Sequence, residues 1–571
     1  MSVRKLNALA PDWLIHGDSA GLRDDVTAGL TIAAMLVPQA MAYAMLAGLP
    51  PVMGLYASTL PLVAYALFGS SRHLAVGPVA MISLLVFTAC SMLAPPGSAE
   101  YIATVLLLTL LVGVLQFGAG LLRLGFLVNF FSHAVIGGFT SAAAIVIALS
   151  QMKHLLGVKL GTEQNVFKLL AQLARYAGQT NLATLTLGVV SIAGLYVLKK
   201  RYPRLPSAIL FVVCGTLLAY AGLAKLGVAT VGDVPRGLPA FVVPTADLAS
   251  VRRLLPTALV IFFVGYMESI SVAKYVAARS GYKVNPDREL LGLGAANLVS
   301  SLFSGYPVTG GFSRTAVMVQ AGARTQRAAV LAAAVILLTL LALTPLFHYL
   351  PNAVLAAVIV VAVAGLVDYK EAIRLFKMKR ADGLTFLLTF VCTLTIGIDQ
   401  GLLIGLAFSL GLFIWRSSHP HTAELGYVES EGIFRNLRRY PQAKTYPGVL
   451  ILRPDASLYF ANMKFLEDLL ARDIAARPDT KWVLIDLSGV NDIDAVSVDA
   501  LGRLMDAYEH SGIRFAYASM KGPVRDVVAR AGWAEKYGER IRHPSIQRAL
   551  EAMRFSAEPL ERSSFSSGRS A

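Results

Sequence analysis

Cysteine is scarce here: only Cys90, Cys214 and Cys392 occur in 571 residues, each inside an apolar stretch. No disulfide framework and no cysteine-based metal cluster can be built from them. Charge is scarce too, with Asp, Glu, Lys and Arg at 15% of the chain, against about 25% in soluble domains. The first 20 residues lack a continuous apolar core and a small-residue cleavage site, so no cleaved signal peptide is expected. What abounds is apolar surface. Hydrophobic residues reach 56% against roughly 45–50% in soluble domains, and mean hydropathy is +0.61. A soluble enzyme, a disordered chain and a coiled coil are excluded, and most of the chain must lie in lipid.

The charge that remains leans positive, with 51 Lys and Arg against 35 Asp and Glu, a formal +16. These residues sit mainly in short loops between apolar runs, the topology signal of a membrane protein, so nucleic acid is not an expected partner. A helix needs about 20 residues to cross a hydrocarbon layer about 30 Å thick. Fourteen candidate spans fit, near 24–46, 52–68, 76–93, 102–121, 131–150, 182–198 and 206–221, then 255–275, 289–303, 311–320, 328–347, 352–367, 382–398 and 400–415. With a cytoplasmic N-terminus, the inside loops hold about twice the Lys and Arg of the outside loops, which puts both termini in the cytoplasm.

The expected organisation is a cytosolic segment over 1–20 and a transmembrane transport domain over 21–416, with repeats 21–221 and 255–416. A linker over 417–445, a small cytosolic α/β domain over 446–555 and a disordered tail over 556–571 follow. In the α/β domain, VLILRP, WVLIDLSG and IRFAYAS read as strands between amphipathic helices.

Two stretches break the apolar pattern in matching ways. SSRHLAVGPVAMISLLV (70–86) and SGYPVTGGFSRTAVMV (304–319) each run from an extended Gly- and Pro-containing segment into a helix. Both fall on the third span of a seven-span half. Seven is odd, so the second half enters the membrane inverted, and paired interruptions of this kind point to a midplane transport site. Backbone N–H groups at the helix starts, near Val79 and Ala80 and near Phe312, would form an electropositive pocket for an anion. Ser313 adds a hydroxyl donor. Arg314 adds a full charge, costly in a span unless it meets water or a partner.

Glu268, in LVIFFVGYMESISVAKYVA, is the second charge at depth. Loss of hydration there favours uptake of a proton near neutral pH, which suits proton coupling; an ion pair with Arg314 or Lys274 is the structural alternative. Sodium needs several hard oxygens. Position 272 is Val, although Ser269 and Ser271 remain available. Pro38-Gln39 interrupts the first span, and Gln39 and Tyr43 share one helix face as donors to an anion. Gly401 and Gly405 form a helix-packing pattern. His419 and His421 read as linker residues, and Asp486, Asp492 and Asp494 as solvated loop acids, so no metal and no cofactor are expected.

The stretches VPQAMAYAMLAGLPPVMGLYAS (37–58), FGSSRHLAVGPVA (68–80), YMESISVAKYVA (266–277), NPDRELLGLGAANLVSSLF (285–303) and GGFSRTAV (310–317) resemble the sulfate permease (SulP) group of anion transporters. The last is close to the pattern of plant sulfate carriers, and the region 446–555 resembles a STAS domain. The resemblance implies an α-helical polytopic protein of 14 spans in two inverted seven-span repeats, divided into core and gate domains, with a cytosolic STAS-like domain. It implies a homodimer in the inner cell membrane and an elevator-like movement of the core. It places the anion site on Gln39, Tyr43, Val79, Ala80, Phe312, Ser313 and Arg314, and the coupling carboxylate on Glu268. Sodium-driven bicarbonate members tend to carry a hydroxyl where Val272 stands. Stand-alone STAS proteins are phosphorylated in a D-S-S-G turn, which here reads Asp494-Ala495-Val496-Ser497, so a scaffold or dimerisation role is the expected one. The expected function is proton-coupled import of a small inorganic or dicarboxylate anion, sulfate or a C4-dicarboxylate first. A sodium-coupled bicarbonate transporter, an uncoupled exchanger or channel, and a membrane-tethered regulator are the alternatives.

Overall fold

The computed structural model describes residues 21–130, 132–158, 166–202, 207–245 and 247–553. The N-terminal segment 1–20, the tail 556–571 and the loop residues Lys159 and Arg204 lie outside the described residues.

Lipid offers no partner to a backbone N–H or C=O, so long apolar runs must close their hydrogen bonds within helices. In the first half the helices are α1 (Leu22–Leu46), α2 (Pro51–Tyr56), α3 (Leu60–Phe68), α4 (Ala80–Cys90), α5 (Ala99–Leu121), α6 (His133–Leu156), α7 (Val166–Tyr176), α8 (Leu182–Arg201) and α9 (Ser207–Tyr220). The second half contributes α10 (Leu248–Arg279), α11 (Pro286–Leu302), α12 (Phe312–Gln320), α13 (Arg327–Leu338), α14 (Asn352–Ala364), α15 (Tyr369–Met378), α16 (Arg380–Thr395) and α17 (Ile398–Ser418). Among the described residues, 8 helical stretches are long and apolar enough to cross a membrane. Each of the expected spans carries helix, several of them short.

Two further helices, α7 and α15, lie outside the expected spans. Only Val166 and Leu169 are buried on α7, and only Leu375 on α15. Charged residues break both sequences at helical spacing, the pattern of a helix lying along a membrane surface. Both follow the fifth span of their half, so the two halves correspond here as well.

Packing sorts the spans into two groups. In one, α11 lies along α5 and α3, α13 along α1, and α10 along α5. In the other, α6 packs on α14 and α16, and α8 on α14. Large apolar side chains such as Val190, Leu217, Leu387 and Val391 remain exposed on the second group, as lipid-facing residues would be. Gly401 and Gly405 abut Thr393 and Thr389 of α16, so the glycine pair does serve helix packing.

At Gly54 helix α2 presses on α1 just past Pro38-Gln39, and a Cβ there would overlap the carbonyl of Ala40. Gly54→Val is therefore expected to push α2 off α1, at a cost of about 1–3 kcal/mol or more. A lower melting temperature of the detergent-solubilised chain would register it, and an unchanged one would refute the close approach.

Residues from Leu410 onward form a second compact unit. Its five-stranded sheet has the order β4-β3-β5-β6-β7, where β3 is Thr422–Val428, β4 Ile433–Asn436, β5 Val449–Pro454, β6 Trp482–Asp486 and β7 Arg514–Ala518. The strands β5, β6 and β7 are parallel, and β3 runs antiparallel to both its neighbours. The three parallel strands are the expected ones. The β3–β4 hairpin comes from 422–436, inside the stretch read as linker. Polar residues alternate with apolar ones along β3, and β4 is only four residues long, so neither shows the unbroken apolar run of a strand buried on both faces.

Helices α18 (Phe460–Ala475), α19 (Ala495–His510) and α20 (Gly522–Arg530) bury Leu466, Leu501 and Val524 in one core with Leu452, Val483 and Phe515 of the sheet. On the other face Ile451, Leu484 and Ala516 meet Ile546 and Leu550 of the last described helix (Ile546–Ala552). The three loop acids are not equivalent. Asp494 caps α19 and accepts from the N–H groups of Ser497 and Phe460 at 2.8 and 2.9 Å. Asp486 accepts from the Ser488 hydroxyl at 2.7 Å, and Asp492 from the N–H of Ile493 at 3.0 Å. His421 pairs with Asp455 at 2.8 Å, and His419 stacks on Trp415.

Candidate functional site

Both interrupted spans are extended where the sequence loses its helical pattern, and the two segments meet. β1 (Val76–Gly77) pairs antiparallel with β2 (Thr309–Gly310), matching Val76 with Gly310 and Gly77 with Thr309. Helix α4 starts at Ala80 behind the extended residue Val79 (φ −132°, ψ 150°), and α12 starts at Phe312 behind Gly311 (φ −106°, ψ 129°). Neither start is capped by a side chain. Ser83 N–H bonds to Val79 O and Thr315 N–H to Gly311 O, so the free amides belong to Ala80, Met81 and Ile82 and to Phe312, Ser313 and Arg314. Because the pairing is antiparallel, the helices leave in opposite directions and their electropositive ends converge. Val79 thus contributes its extended backbone, with Ala80 as the first free amide.

A polar frame that the sequence reading did not find holds this crossing. Ser269 on α10 bonds to the Thr309 hydroxyl at 2.7 Å and accepts from Gly310 N–H at 2.8 Å. Asn297 on α11 accepts from Val308 N–H at 2.8 Å and donates to Val308 O at 3.0 Å and to Gln116 at 2.8 Å. Thr315 accepts from Ala75 N–H at 3.0 Å, joining the second segment to the first. The signal lay in plain view: Ser, Thr and Asn in apolar spans, where a polar side chain without a partner is costly. Ser269, weighed as a sodium ligand, spends its hydroxyl on β2.

Arg314 is buried, with 2% exposure. It does not snorkel, and among the described residues it pairs with no carboxylate. Its guanidinium donates to the carbonyl of Pro78 and, at 3.3 Å, to that of Thr309, while Nε has no partner among the described residues. One positive side chain therefore bridges both extended segments behind the two helix starts. Gly311 makes room for it, since a Cβ there would come within 3.0 Å of the guanidinium. Ser313 is exposed and does not cap the helix, a place taken by Gly311.

Glu268 lies on α10 beside this crossing. Among the described residues it forms no ion pair with Arg314 or Lys274, and its Oε2 is buried without a hydrogen-bond partner. Two fully buried carboxylates are treated differently. Glu289 accepts from Tyr65, from both the N–H and hydroxyl of Ser70, and from Ser71 N–H, all within 2.8 Å. Asp25 accepts from Arg324 N–H and from Thr325 through both its N–H and its hydroxyl. Those two are saturated with donors, as structural carboxylates are. Glu268 is not.

A cavity of about 270 Å³ opens against Glu268, and Met81, Phe312, Ser271 and Val272 also line it. Thr140 and His133 of α6 close its far side, so it lies between the two packing groups. Tyr43, Arg314 and Glu268 are electrostatic neighbours. Gln39 and Tyr43 are buried on α1, which packs against both α4 and α12. Neither polar group has a hydrogen-bond partner among the described residues, so both retain capacity to donate. Of the residues expected at the site, Glu268 and Phe312 line the cavity itself; Gln39, Tyr43, Val79, Ala80, Ser313 and Arg314 do not.

Broken helices facing one another beside a cavity, in a bundle of inverted halves, mark a membrane transport protein. The chain belongs to the sulfate permease family, whose model matches residues 22–389, and a STAS domain matches residues 440–548. Sulfate transporter 4.1, chloroplastic, of Arabidopsis thaliana is 39% identical over 549 residues, covering 92% of this chain and 80% of that protein. A probable sulfate transporter of Mycobacterium tuberculosis is 34% identical over 535 residues, covering 93% and 95%. Among solved structures, the murine Solute Carrier 26 family member A9 anion transporter in the inward-facing state matches with a TM-score of 0.90 at 25% identity, over 97% of this chain and 95% of that one. The transmembrane domain of a cyanobacterium bicarbonate transporter, BicA, shares the fold with a TM-score of 0.60 at 23% identity, over 69% of this chain and 98% of that one.

Proposed function

We propose that this protein imports a small anion, sulfate first, by proton-coupled symport across the inner cell membrane, with both termini in the cytoplasm. One observation carries the reading. Two uncapped helix starts and a buried guanidinium converge beside a cavity that also holds an unsatisfied carboxylate. Free amides at helix N-termini favour an anion without adding a net charge. The relatives named as sulfate transporters make sulfate the first candidate. A C4-dicarboxylate offers the same amides and arginine similar oxygen acceptors.

Glu268 is the proposed proton carrier. Protonation there offsets one negative charge of the cargo as it moves through a low-dielectric path. Sodium is the weaker partner, because Val272 lines the cavity beside Glu268 and Ser269 is engaged elsewhere. The two packing groups serve as core and gate, and the cavity between them is the inward-open side of an elevator-like movement. Lipid covers the exposed apolar faces, two copies pair as a homodimer, and the STAS domain acts as scaffold.

Uptake by proteoliposomes tests this. An outside-acidic gradient is expected to raise sulfate accumulation several-fold over symmetric pH. Accumulation that ignores the gradient would turn the reading to an uncoupled exchanger, and absent sulfate uptake would overturn the substrate.

A further inference from the structure

A second, smaller cavity of about 40 Å³ lies at the other end of α4. Leu46, Phe87, Thr88, Lys153, His154 and Ile398 are among its lining residues. These sit at the C-terminal ends of α1, α4 and α6 and at the N-terminal end of α17. Met81 faces the larger cavity and Thr88 this one. At 1.5 Å per residue, the two openings are therefore about 10 Å apart along α4. With the N-terminus inside, all four helix ends fall on the outer side of the membrane.

The lining is unusual in its charge. Lys153 of α6 is half-buried and lies at 5.9 Å over the Phe87 ring of α4, which packs mainly on α1, α5 and α10, so it reaches from one packing group to the other. His154 is half-buried beside it. Among the described residues neither pairs with a carboxylate. A cation–π contact returns only part of the hydration that a half-buried ammonium gives up. A cation kept there in that condition implies a use for it. The electrostatics of α4 supply one: its N-terminus attracts an anion, but its C-terminus, at this cavity, carries partial negative charge and repels one. Lys153 stands where that repulsion must be offset, with the His154 imidazole beside it.

We propose that Lys153, with His154, forms an outer capture site for a small oxyanion, shut in this conformation and opened when the two packing groups part. Lys153 then exchanges the Phe87 ring for the incoming anion, which passes on to the helix starts. The inference rests on the transport reading above but concerns a separate site.

Two measurements test it on the full chain. In proteoliposomes, Lys153→Gln is expected to raise the KM for external anion roughly tenfold, with turnover at saturation within about twofold. Lys153→Arg should retain most of the affinity, and Lys225→Gln, an exposed loop charge, should change nothing. An unchanged KM, or a loss confined to turnover, overturns the proposal. Acetylation of Lys153 by a membrane-impermeant amine reagent gives a readout that needs no transport. Sulfate, dicarboxylate or bicarbonate should slow it several-fold, where gluconate at equal ionic strength does not. Labelling that no small anion slows also overturns the capture site. A chain that carries no sulfate, yet shows this protection with another small anion, would sink the substrate assignment and leave the capture site standing.

Discussion

Arg314→Ala is expected to weaken anion binding by about a hundredfold or more in competition against labelled sulfate. The guanidinium donates to the carbonyls of Pro78 and Thr309, one in each extended segment. Its removal takes a full charge from behind both helix starts and strips two buried acceptors of their donor. Each stripped acceptor costs about 1–3 kcal/mol, so the crossing that aligns the free amides should loosen as the charge is lost. Arg314→Lys separates the two contributions. A lysine restores the charge as a single point and not as a planar fork, so binding should recover only in part. Full recovery would show that charge alone matters and that the bridge does not. If Arg314→Ala binds every anion as tightly as the unaltered chain, the anion site lies elsewhere.

Glu268→Gln should abolish the response to an outside-acidic gradient, dropping gradient-driven accumulation at least tenfold, while sulfate affinity stays within about twofold. Glutamine keeps the shape and one carbonyl acceptor but cannot exchange a proton. The comparison that gives the test its force is Glu289→Gln. There the carboxylate is saturated by Tyr65, Ser70 and Ser71. That variant should therefore lose thermal stability and not pH coupling. A Glu268→Gln chain that still accumulates sulfate against a gradient would remove this carboxylate from the proton path.

The contrast between these two glutamates also marks how far the sequence alone can be read. Glu268 lies mid-span and Glu289 in the first turn of its helix, but nothing local tells which of them is satisfied by donors. What separates them is a set of donors more than two hundred residues away, at Tyr65 and Ser70. The helices themselves were legible because hydropathy acts along the chain. So were the two interruptions, since Gly and Pro mark them within a few residues. Helices α7 and α15 escaped because a surface helix has too little apolar length to register as a span. The β3–β4 hairpin escaped because β3 alternates polar with apolar residues and β4 is only four residues long.

The site was legible as a neighbourhood and not as a set of contacts. Arg314 stood out as a cation in a span, but whether it faces a ligand or braces the backbone depends on the Pro78 carbonyl, supplied by the other half. Ser269 and Asn297 looked like ordinary polar residues, and became a frame only once β2 lay between them.

The crossing of β1 with β2 also has a bearing on how the chain is made. Its partners, Arg314 and Pro78 for one, are 236 residues apart. At about 5–20 residues per second, the ribosome completes the first half-helix tens of seconds before its counterpart emerges. During that interval the nascent first repeat holds an open backbone end within the bilayer. Any insertase or chaperone that attends this protein has that lone end to shelter until the second repeat arrives.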